Sequence, residues 1–368
     1  MLQPARDSPV KEEFPVNIKL TLLITAIALS GCLPAGISQR IMEKGLESRL
    51  SDNTLNELED GLHLALCGAG GPMPAPEASG PCVLVIAGKR MFVVDTGTDG
   101  TRNIGRMGYP LGDVEAVLLT HFHSDHIDGL GELATLRWAS GANEKPLPVY
   151  GPDGVENVVA GFNQAYSQDF VYRHAHHGDA VAPSSGAGLV AKAFTPPQDG
   201  VLATLIDDDV LTVEALAVNH KPVAPAVGYR FSYKGRSLLI TGDTVKSANI
   251  EHFAQGVDLL VHEALAKNLV SLMNKVANDV GNTVMAQITH DILDYHTSPL
   301  EAAETAKAAK VGHLLYYHIV PPMVLPGQKT LFLDGADAVF SNYTIGEDGV
   351  TFSLPAGSDK IIKTRKGL

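Results

Sequence analysis

The most informative segment of the chain reads Val117-Leu118-Leu119-Thr120-His121-Phe122-His123-Ser124-Asp125-His126. Its first three residues are aliphatic, and a short apolar run of this kind is typical of a buried β-strand. The polar residues that follow are therefore expected in the loop at the carboxyl end of that strand. Ligands bind at this edge in open α/β sheets, so the segment predicts a functional site.

The residue types in the loop indicate a metal centre. Imidazole nitrogen and carboxylate oxygen are the donors that zinc and similar divalent metals prefer. The spacing H-x-H-x-D-H supplies three histidines and one aspartate, which are His121, His123, His126 and Asp125. Four donors within six residues exceed what one four-coordinate ion needs from one loop, so we expect two zinc ions, with Mn²⁺ or Fe²⁺ as alternatives.

Length and charge limit the classes of protein to consider. With 368 residues and a mass of 39.0 kDa, the chain can bury a large hydrophobic core. The formal net charge of -13 is unlike the basic faces of most nucleic-acid-binding proteins. The composition therefore favours a small-molecule substrate over a nucleic acid.

The amino-terminal region resembles an export signal. Residues 20–29 are uncharged and mostly aliphatic, a length suited to a signal-peptide core. The following Leu29-Ser30-Gly31-Cys32 resembles a bacterial lipobox. We therefore predict a lipoprotein-type signal over 1–32, a linker over 33–60 and a metallo-hydrolase domain over 61–368. The protein would be exported and anchored to a membrane in the periplasm through Cys32. The alternative is a short buried helix that ends in a core cysteine.

Two further cysteines, Cys67 and Cys82, flank a Gly/Pro-rich stretch. In an oxidising compartment they could form a disulfide, and in the cytosol they would be two small buried side chains. The sequence leaves both alternatives open.

Polar residues repeatedly follow predicted strands. Apolar runs end at five residues that can bind metal or position a ligand, namely Asp95, His121, His220, Asp243 and His318. The strands fall into two groups with helices outside them. This pattern predicts an α/β fold in which two sheets pack face to face and helices cover both, giving a four-layer αββα sandwich.

From about Leu62 to Phe352, the chain resembles the metallo-β-lactamase-fold hydrolases. Within that superfamily it resembles the RNase Z and arylsulfatase-like branch. The resemblance rests on the H-x-H-x-D-H motif and on five further segments: 67–72 (CGAGGP), 95–97 (DTG), His220 with 228–230 (GYR), 262–264 (HEA) and 296–298 (HTS). It implies that one zinc binds His121, His123 and His220. It also implies a second zinc at Asp125, His126 and His318, with Asp243 bridging the two and Asp95 supporting the histidines.

The same resemblance implies a set of catalytic residues. A hydroxide shared by the two metals would be the nucleophile. His296 would protonate the leaving oxygen, and Glu263 would adjust the acidity of His296. A histidine suits this role because its ordinary pKa lies near neutrality. Asp125 is the third candidate catalytic residue, and His290 competes with His296 as the acid.

One departure from the tRNA-processing members directs the substrate prediction. Those members carry a long basic arm between the Gly-Tyr-Arg and Gly-Asp motifs, whereas here residues 231–241 leave no room for one. We therefore expect an arylsulfatase-like or phosphodiesterase-like hydrolase of small anionic esters, with nucleic acid an unlikely partner and homodimerisation left open. The alternatives are a tRNA 3′-end processing endonuclease (RNase Z) and a non-catalytic binding lipoprotein.

Overall fold

The computed structural model describes residues 35–51 and 53–368. The chain divides into two compact units, residues 1–52 and 53–368. In the first unit the described part is a helix, α1 (Ala35–Ser51), within the stretch predicted as a linker. The predicted signal and Cys32 lie outside the described residues, so the boundaries and the export signal stay predictions. Among the described helices, none has the length and apolar character needed to span a bilayer.

The second unit is built from strands and short helices. The strands are β1 (Gly61–Gly68), β2 (Cys82–Ala87), β3 (Arg90–Val94), β4 (Val114–Leu118), β5 (Leu147–Pro152), β6 (Leu189–Phe194), β7 (Leu202–Asp207), β8 (Leu211–Ala217), β9 (Val227–Tyr233), β10 (Arg236–Ile240), β11 (Leu259–Leu265), β12 (His313–Val320), β13 (Tyr343–Ile345), β14 (Val350–Pro355) and β15 (Ile362–Arg365). The helices are α2 (Thr54–Glu57), α3 (Gly100–Arg106), α4 (Ser124–Ile127), α5 (Leu130–Gly141), α6 (Val155–His177), α7 (Ala248–Phe253), α8 (Lys267–Asp279), α9 (Thr283–Asp291), α10 (Pro299–Ala308), α11 (Gln328–Leu333) and α12 (Ala336–Val339).

The strands form two sheets. In the described residues, sheet A has the order β15-β14-β1-β2-β3-β4-β5-β6 and sheet B the order β13-β12-β11-β10-β9-β8-β7. Apolar side chains from both sheets fill the space between them, including Phe92 and Phe231, whose ring centroids are 5.9 Å apart. Two further apolar clusters join sheet A to α3, α5 and α6, and sheet B to α7, α8, α10 and α11. The predicted four-layer αββα sandwich is confirmed.

The sheet topology brings the predicted site together at one edge. Strands β3, β4, β5 and β6 run parallel in sheet A, and β10, β11, β12 and β13 run parallel in sheet B. Because parallel strands end at the same edge of a sheet, the residues that follow them become neighbours. Strand β12 runs further than the sequence predicted, because it continues through His318. Strand β11 contains His262 and Glu263.

A disulfide joins Cys67 at the end of β1 to Cys82 at the start of β2, with Cα atoms 5.0 Å apart. It closes the base of the segment 68–81, which we call the Gly/Pro loop. Buried Asp348 holds this loop from inside, because its carboxylate accepts hydrogen bonds from the backbone nitrogens of Ala69 (2.9 Å) and Ser79 (2.8 Å). The sequence had left the disulfide open, and the structure contains it.

Candidate metal centre and its surroundings

The predicted metal ligands gather around Asp243, which follows β10. Its Oδ2 atom lies 3.2–3.9 Å from the Nε2 atoms of four histidines, His318, His126, His220 and His121. Gly242 makes this position possible, since its backbone has a φ of +63° and a Cβ there would lie 2.8 Å from the Cβ of Thr120. The central place of Asp243 is what a bridging carboxylate requires.

The side chains form two groups, and within each group the donor atoms lie within 4.8 Å of one another. One group is His121, His123, His220 and Asp243, and the other is Asp125, His126 and His318. These are the two sets implied by the sequence. Asp243 also forms a close group with His296 and His318, so His296 reaches the edge of the cluster.

Unpaired polar atoms inside the cluster fit a divalent metal site. Buried donors without a hydrogen-bond partner among the described residues include His126 Nε2, His220 Nε2, His318 Nε2, Asp125 Oδ2 and Asp243 Oδ1. Buried polar atoms are rarely left unpaired, because each one costs about 1–3 kcal/mol. Five such atoms around one point therefore fit a divalent metal site. The choice of zinc stays a prediction.

The electrostatics of the cluster also suit metal binding. Burial lowers the pKa values of His121, His123 and His220, so these imidazoles are neutral at pH 7 and keep a free lone pair. Burial opposes the ionisation of Asp243, but His318 and His126 more than offset it and hold the pKa of that carboxyl well below its usual range. His121, His123, His220 and Asp243 are thus in the protonation states that a metal needs. Burial opposes the protonation of His126, but Asp243 and Asp95 outweigh it and raise the pKa of that imidazole well above its ordinary value.

Asp95 orients His126. Its carboxylate accepts hydrogen bonds from the backbone and hydroxyl of Thr120, both at 2.8 Å, and from His126 Nδ1, also at 2.8 Å. Because Nδ1 carries the hydrogen of that bond, Nε2 is the nitrogen that faces the cluster. Asp95 adopts a φ of +56°, which is uncommon for a residue other than glycine.

His318 lies in a β-bulge within β12. Glu263 pairs with Tyr317 and Ala264 pairs with Ile319, so His318 is the extra residue on its strand. Its φ of +45° is again in the left-handed region. Bulges redirect side chains next to functional sites, and this one lets His318 reach the cluster although the strand continues past it.

The candidate acid His296 is tied to Glu263. His296 Nδ1 donates to Glu263 Oε1 at 3.0 Å, and the backbone nitrogens of Thr244 and Thr297 donate to the same oxygen at 3.0 and 3.1 Å. Burial lowers the pKa of His296, but the negative charges of Glu263 and Asp243 outweigh this effect and raise it to about 9. His290, the competing candidate, is exposed at the end of α9.

Sequence reasoning missed Tyr295. Its ring centroid lies 4.7 Å from that of His220 and 4.6 Å from that of His296. Its carbonyl oxygen accepts a hydrogen bond from His220 Nδ1 at 2.9 Å, which leaves His220 Nε2 for the cluster. The signal available in the sequence was its position directly before His296.

The Gly/Pro loop borders the cluster. Gly71 lies against His318, since a Cβ on Gly71 would be 3.1 Å from His318 Cε1. A cleft of about 550 Å³ runs between this loop and α4, and Asp125 lines it together with Arg106 and Asp128. A second cleft of about 380 Å³ lies on the other side of the loop.

Comparisons with known proteins extend these observations. The family model described as Metallo-beta-lactamase superfamily matches residues 75–311. Ribonuclease Z of Mycobacterium bovis (strain BCG / Pasteur 1173P2) is 35% identical over 293 residues, which cover 78% of this chain and 96% of that protein. Ribonuclease Z of Mycolicibacterium paratuberculosis (strain ATCC BAA-968 / K-10) is 37% identical over 265 residues, covering 72% and 88%.

Solved structures with a similar fold include human tRNase Z, short form, with a TM-score of 0.58 and 20% identity, covering 80% of this chain and 99% of that one. The metallo-beta-lactamase fold protein YhfI from Bacillus subtilis gives a TM-score of 0.57 at 22% identity, with coverages of 80% and 100%. At these identities, both matches show the fold alone.

The relatives named Ribonuclease Z contradict two predictions. The prediction of a small sulfate or phosphate ester as the substrate is wrong, and so is the prediction that nucleic acid is an unlikely partner. The predicted lipid anchor is not shown. The hairpin between β9 and β10 is indeed short, since Tyr233 pairs with Arg236 across a two-residue turn. The absence of the arm was predicted correctly, but the conclusion about the substrate was wrong. A missing arm removes only one surface that could contact RNA, and the net charge of the chain does not describe the charge of a particular surface.

Proposed function

Because this chain belongs to the metallo-beta-lactamase superfamily and is a metal-dependent hydrolase, we propose that it is an RNase Z-type endonuclease that cleaves a phosphodiester bond at the 3′ end of precursor tRNA. The observation that carries the proposal is the 35% identity with Ribonuclease Z of M. bovis, which extends over 96% of that protein. A match of this extent includes the surroundings of the metal cluster as well as the fold.

Two zinc ions fit the cluster in this proposal. His121, His123 and His220 would hold one, Asp125, His126 and His318 the other, and Asp243 would contact both. When bound, a metal pair stabilises the charge that develops on the phosphodiester and lowers the pKa of the attacking water.

We propose His296 as the general acid at this centre. Its Nδ1 atom faces the buried carboxylate of Glu263, so Nε2 carries the proton that can be donated. Two backbone nitrogens hold that carboxylate in place, which fixes the imidazole ring. In the proposed reaction His296 gives its proton to the leaving oxygen, and Glu263 stabilises the charged imidazole.

The test uses the full-length protein and a precursor tRNA with a 3′ trailer. We expect cleavage that leaves a 3′-hydroxyl on the tRNA, loss of cleavage with EDTA, and recovery with added zinc. Asp243→Asn should abolish cleavage and lower the metal content. The matched control is Asp169→Asn, which removes a carboxylate that pairs with Arg173 on the exposed side of α6.

One result would contradict the proposal. In that result, wild-type protein with about two metals per chain hydrolyses bis-p-nitrophenyl phosphate rapidly but leaves every precursor tRNA intact.

A further inference from the structure

A tyrosine lies at the edge of the metal cluster without a role in the chemistry described above. Tyr295 is in the loop 292–298, between α9 and α10. Its ring is in contact with two imidazole rings, and the planes are tilted by 48° to His220 and by 32° to His296. The side chain is half-buried, so part of the ring is open to solvent.

The two parts of Tyr295 have separable roles. The carbonyl oxygen accepts the hydrogen bond from His220 Nδ1, and any residue at this position would provide that carbonyl. The phenol hydroxyl, in contrast, has no hydrogen-bond partner in residues 35–51 and 53–368. The ring is therefore not required to hold His220, and its hydroxyl does not tie it to the surrounding loop.

The setting of the ring suits contact with a nucleobase. Proteins bind unpaired bases by stacking them on exposed aromatic side chains, and this contact tolerates different bases. The ring of Tyr295 neighbours His296, which faces the leaving oxygen in the proposed reaction. A base stacked on Tyr295 would thus belong to the nucleotide that carries the leaving oxygen.

We propose that Tyr295 binds the RNA substrate by stacking on the base of the nucleotide that carries the leaving oxygen. This inference rests on the proposed function and extends it, because it assigns a substrate contact to a residue outside the metal cluster. Stacking would hold the end of the strand in place and keep the scissile phosphate next to His296.

The experiment combines enzyme variants with abasic substrates. The variants are Tyr295→Ala, Tyr295→Leu and Tyr295→Phe, with Tyr172→Ala as a control because Tyr172 is an exposed tyrosine on α6. The substrates are an intact precursor tRNA and two copies that lack the base on one or the other side of the cleaved bond. Metal content and melting temperature are measured for each variant.

Stacking on one base contributes about 1–3 kcal/mol, so Tyr295→Ala and Tyr295→Leu should raise KM about 5–150-fold on the intact RNA. We expect Tyr295→Phe to restore KM to within about 3-fold, and kcat to change little in all variants. On RNA that lacks the base beside the leaving oxygen, wild type and Tyr295→Ala should have similar KM values. On RNA that lacks the other base, the full difference should remain.

Equal losses on the intact and abasic RNAs would overturn the inference, since Tyr295 would then act through His220 or His296. Failure of Tyr295→Phe to rescue KM would also overturn it, because stacking does not need the hydroxyl. If wild type cleaves none of these RNAs, the proposed function itself fails. If wild type cleaves the RNAs but removal of either base leaves the effect of Tyr295→Ala on KM unchanged, only the stacking role fails.

Discussion

Asp95 shows how one carboxylate outside the metal cluster can control a ligand inside it. It fixes the hydrogen of His126 on Nδ1, so Nε2 faces the cluster. Asp95→Asn keeps the size of the side chain but removes its charge. We expect metal affinity to fall about 10–100-fold, as is usual when such a partner is lost. Competition with a chromophoric zinc chelator measures this, and Asp279→Asn on α8 is the control. Unchanged affinity would mean that His126 orients itself without Asp95.

His296 can be tested through the leaving group. If it donates the proton, His296→Ala should lower kcat about 10²–10⁴-fold on RNA, whose leaving alkoxide is strongly basic. The loss should be much smaller on a p-nitrophenyl phosphodiester, whose leaving group needs little protonation. The matched control is His290→Ala, since His290 is exposed and close in sequence. Equal losses on both substrates would instead assign His296 a positioning role or a place among the ligands.

The sequence revealed the residues with strong motifs and missed those defined by tertiary contact. His121 to His126 follow one strand with a characteristic spacing, so local sequence was sufficient to select them. Thr120 and Tyr295 have no such spacing. Their importance comes from hydrogen bonds to Asp95 and His220, which lie on other elements. Such pairs form only when separate strands meet, so no window of sequence contains them.

At the scale of elements, the apolar runs of the sequence predicted where the strands lie. They did not predict where every strand ends. The sequence placed the end of β12 before His318. The strand continues because this imidazole is buried, and a bulge at His318 accommodates the change of direction. The polarity of a residue is therefore a weak guide to the end of a strand beside a metal site.

The disulfide at the base of the Gly/Pro loop should contribute measurably to stability. Cys67 and Cys82 are separated by 15 residues, and closing a loop of that length contributes about 3 kcal/mol. We expect the double change Cys67→Ser and Cys82→Ser to lower the free energy of unfolding by this order in urea titrations. Wild type treated with dithiothreitol should match the variant. A urea midpoint that does not respond to the reductant would show that the folded loop needs no covalent closure.

At the scale of the whole molecule, direct hydrogen bonds connect the sheets near the site. Tyr229 on sheet B donates its hydroxyl to the carbonyl of Leu119 at 2.6 Å, and the backbone nitrogen of Val227 donates to the carbonyl of Thr120 at 3.0 Å. These contacts hold the end of β4 against sheet B. Through them, the H-x-H-x-D-H loop is aligned with Asp243.

Removing the tyrosine hydroxyl should therefore destabilise the sandwich. Tyr229→Phe leaves the buried carbonyl of Leu119 without this donor, and such a loss costs about 1–3 kcal/mol. Urea unfolding of Tyr229→Phe beside Tyr172→Phe, at an exposed position, separates the hydrogen bond from the general effect of the substitution. Identical midpoints would indicate that the packing of the rings alone aligns the sheets.

The origin of the ligands has a thermodynamic consequence. The H-x-H-x-D-H loop follows a strand of sheet A, whereas His220 and Asp243 follow strands of sheet B and His318 lies within one. A cation bound by both sets therefore cross-links the two halves of the sandwich and binds the folded state alone. At a free metal concentration 1,000 times Kd, one such site adds about 4 kcal/mol to the free energy of unfolding. The melting temperature should then rise with the logarithm of free zinc and fall on chelation, so the availability of metal would set the stability of the folded protein.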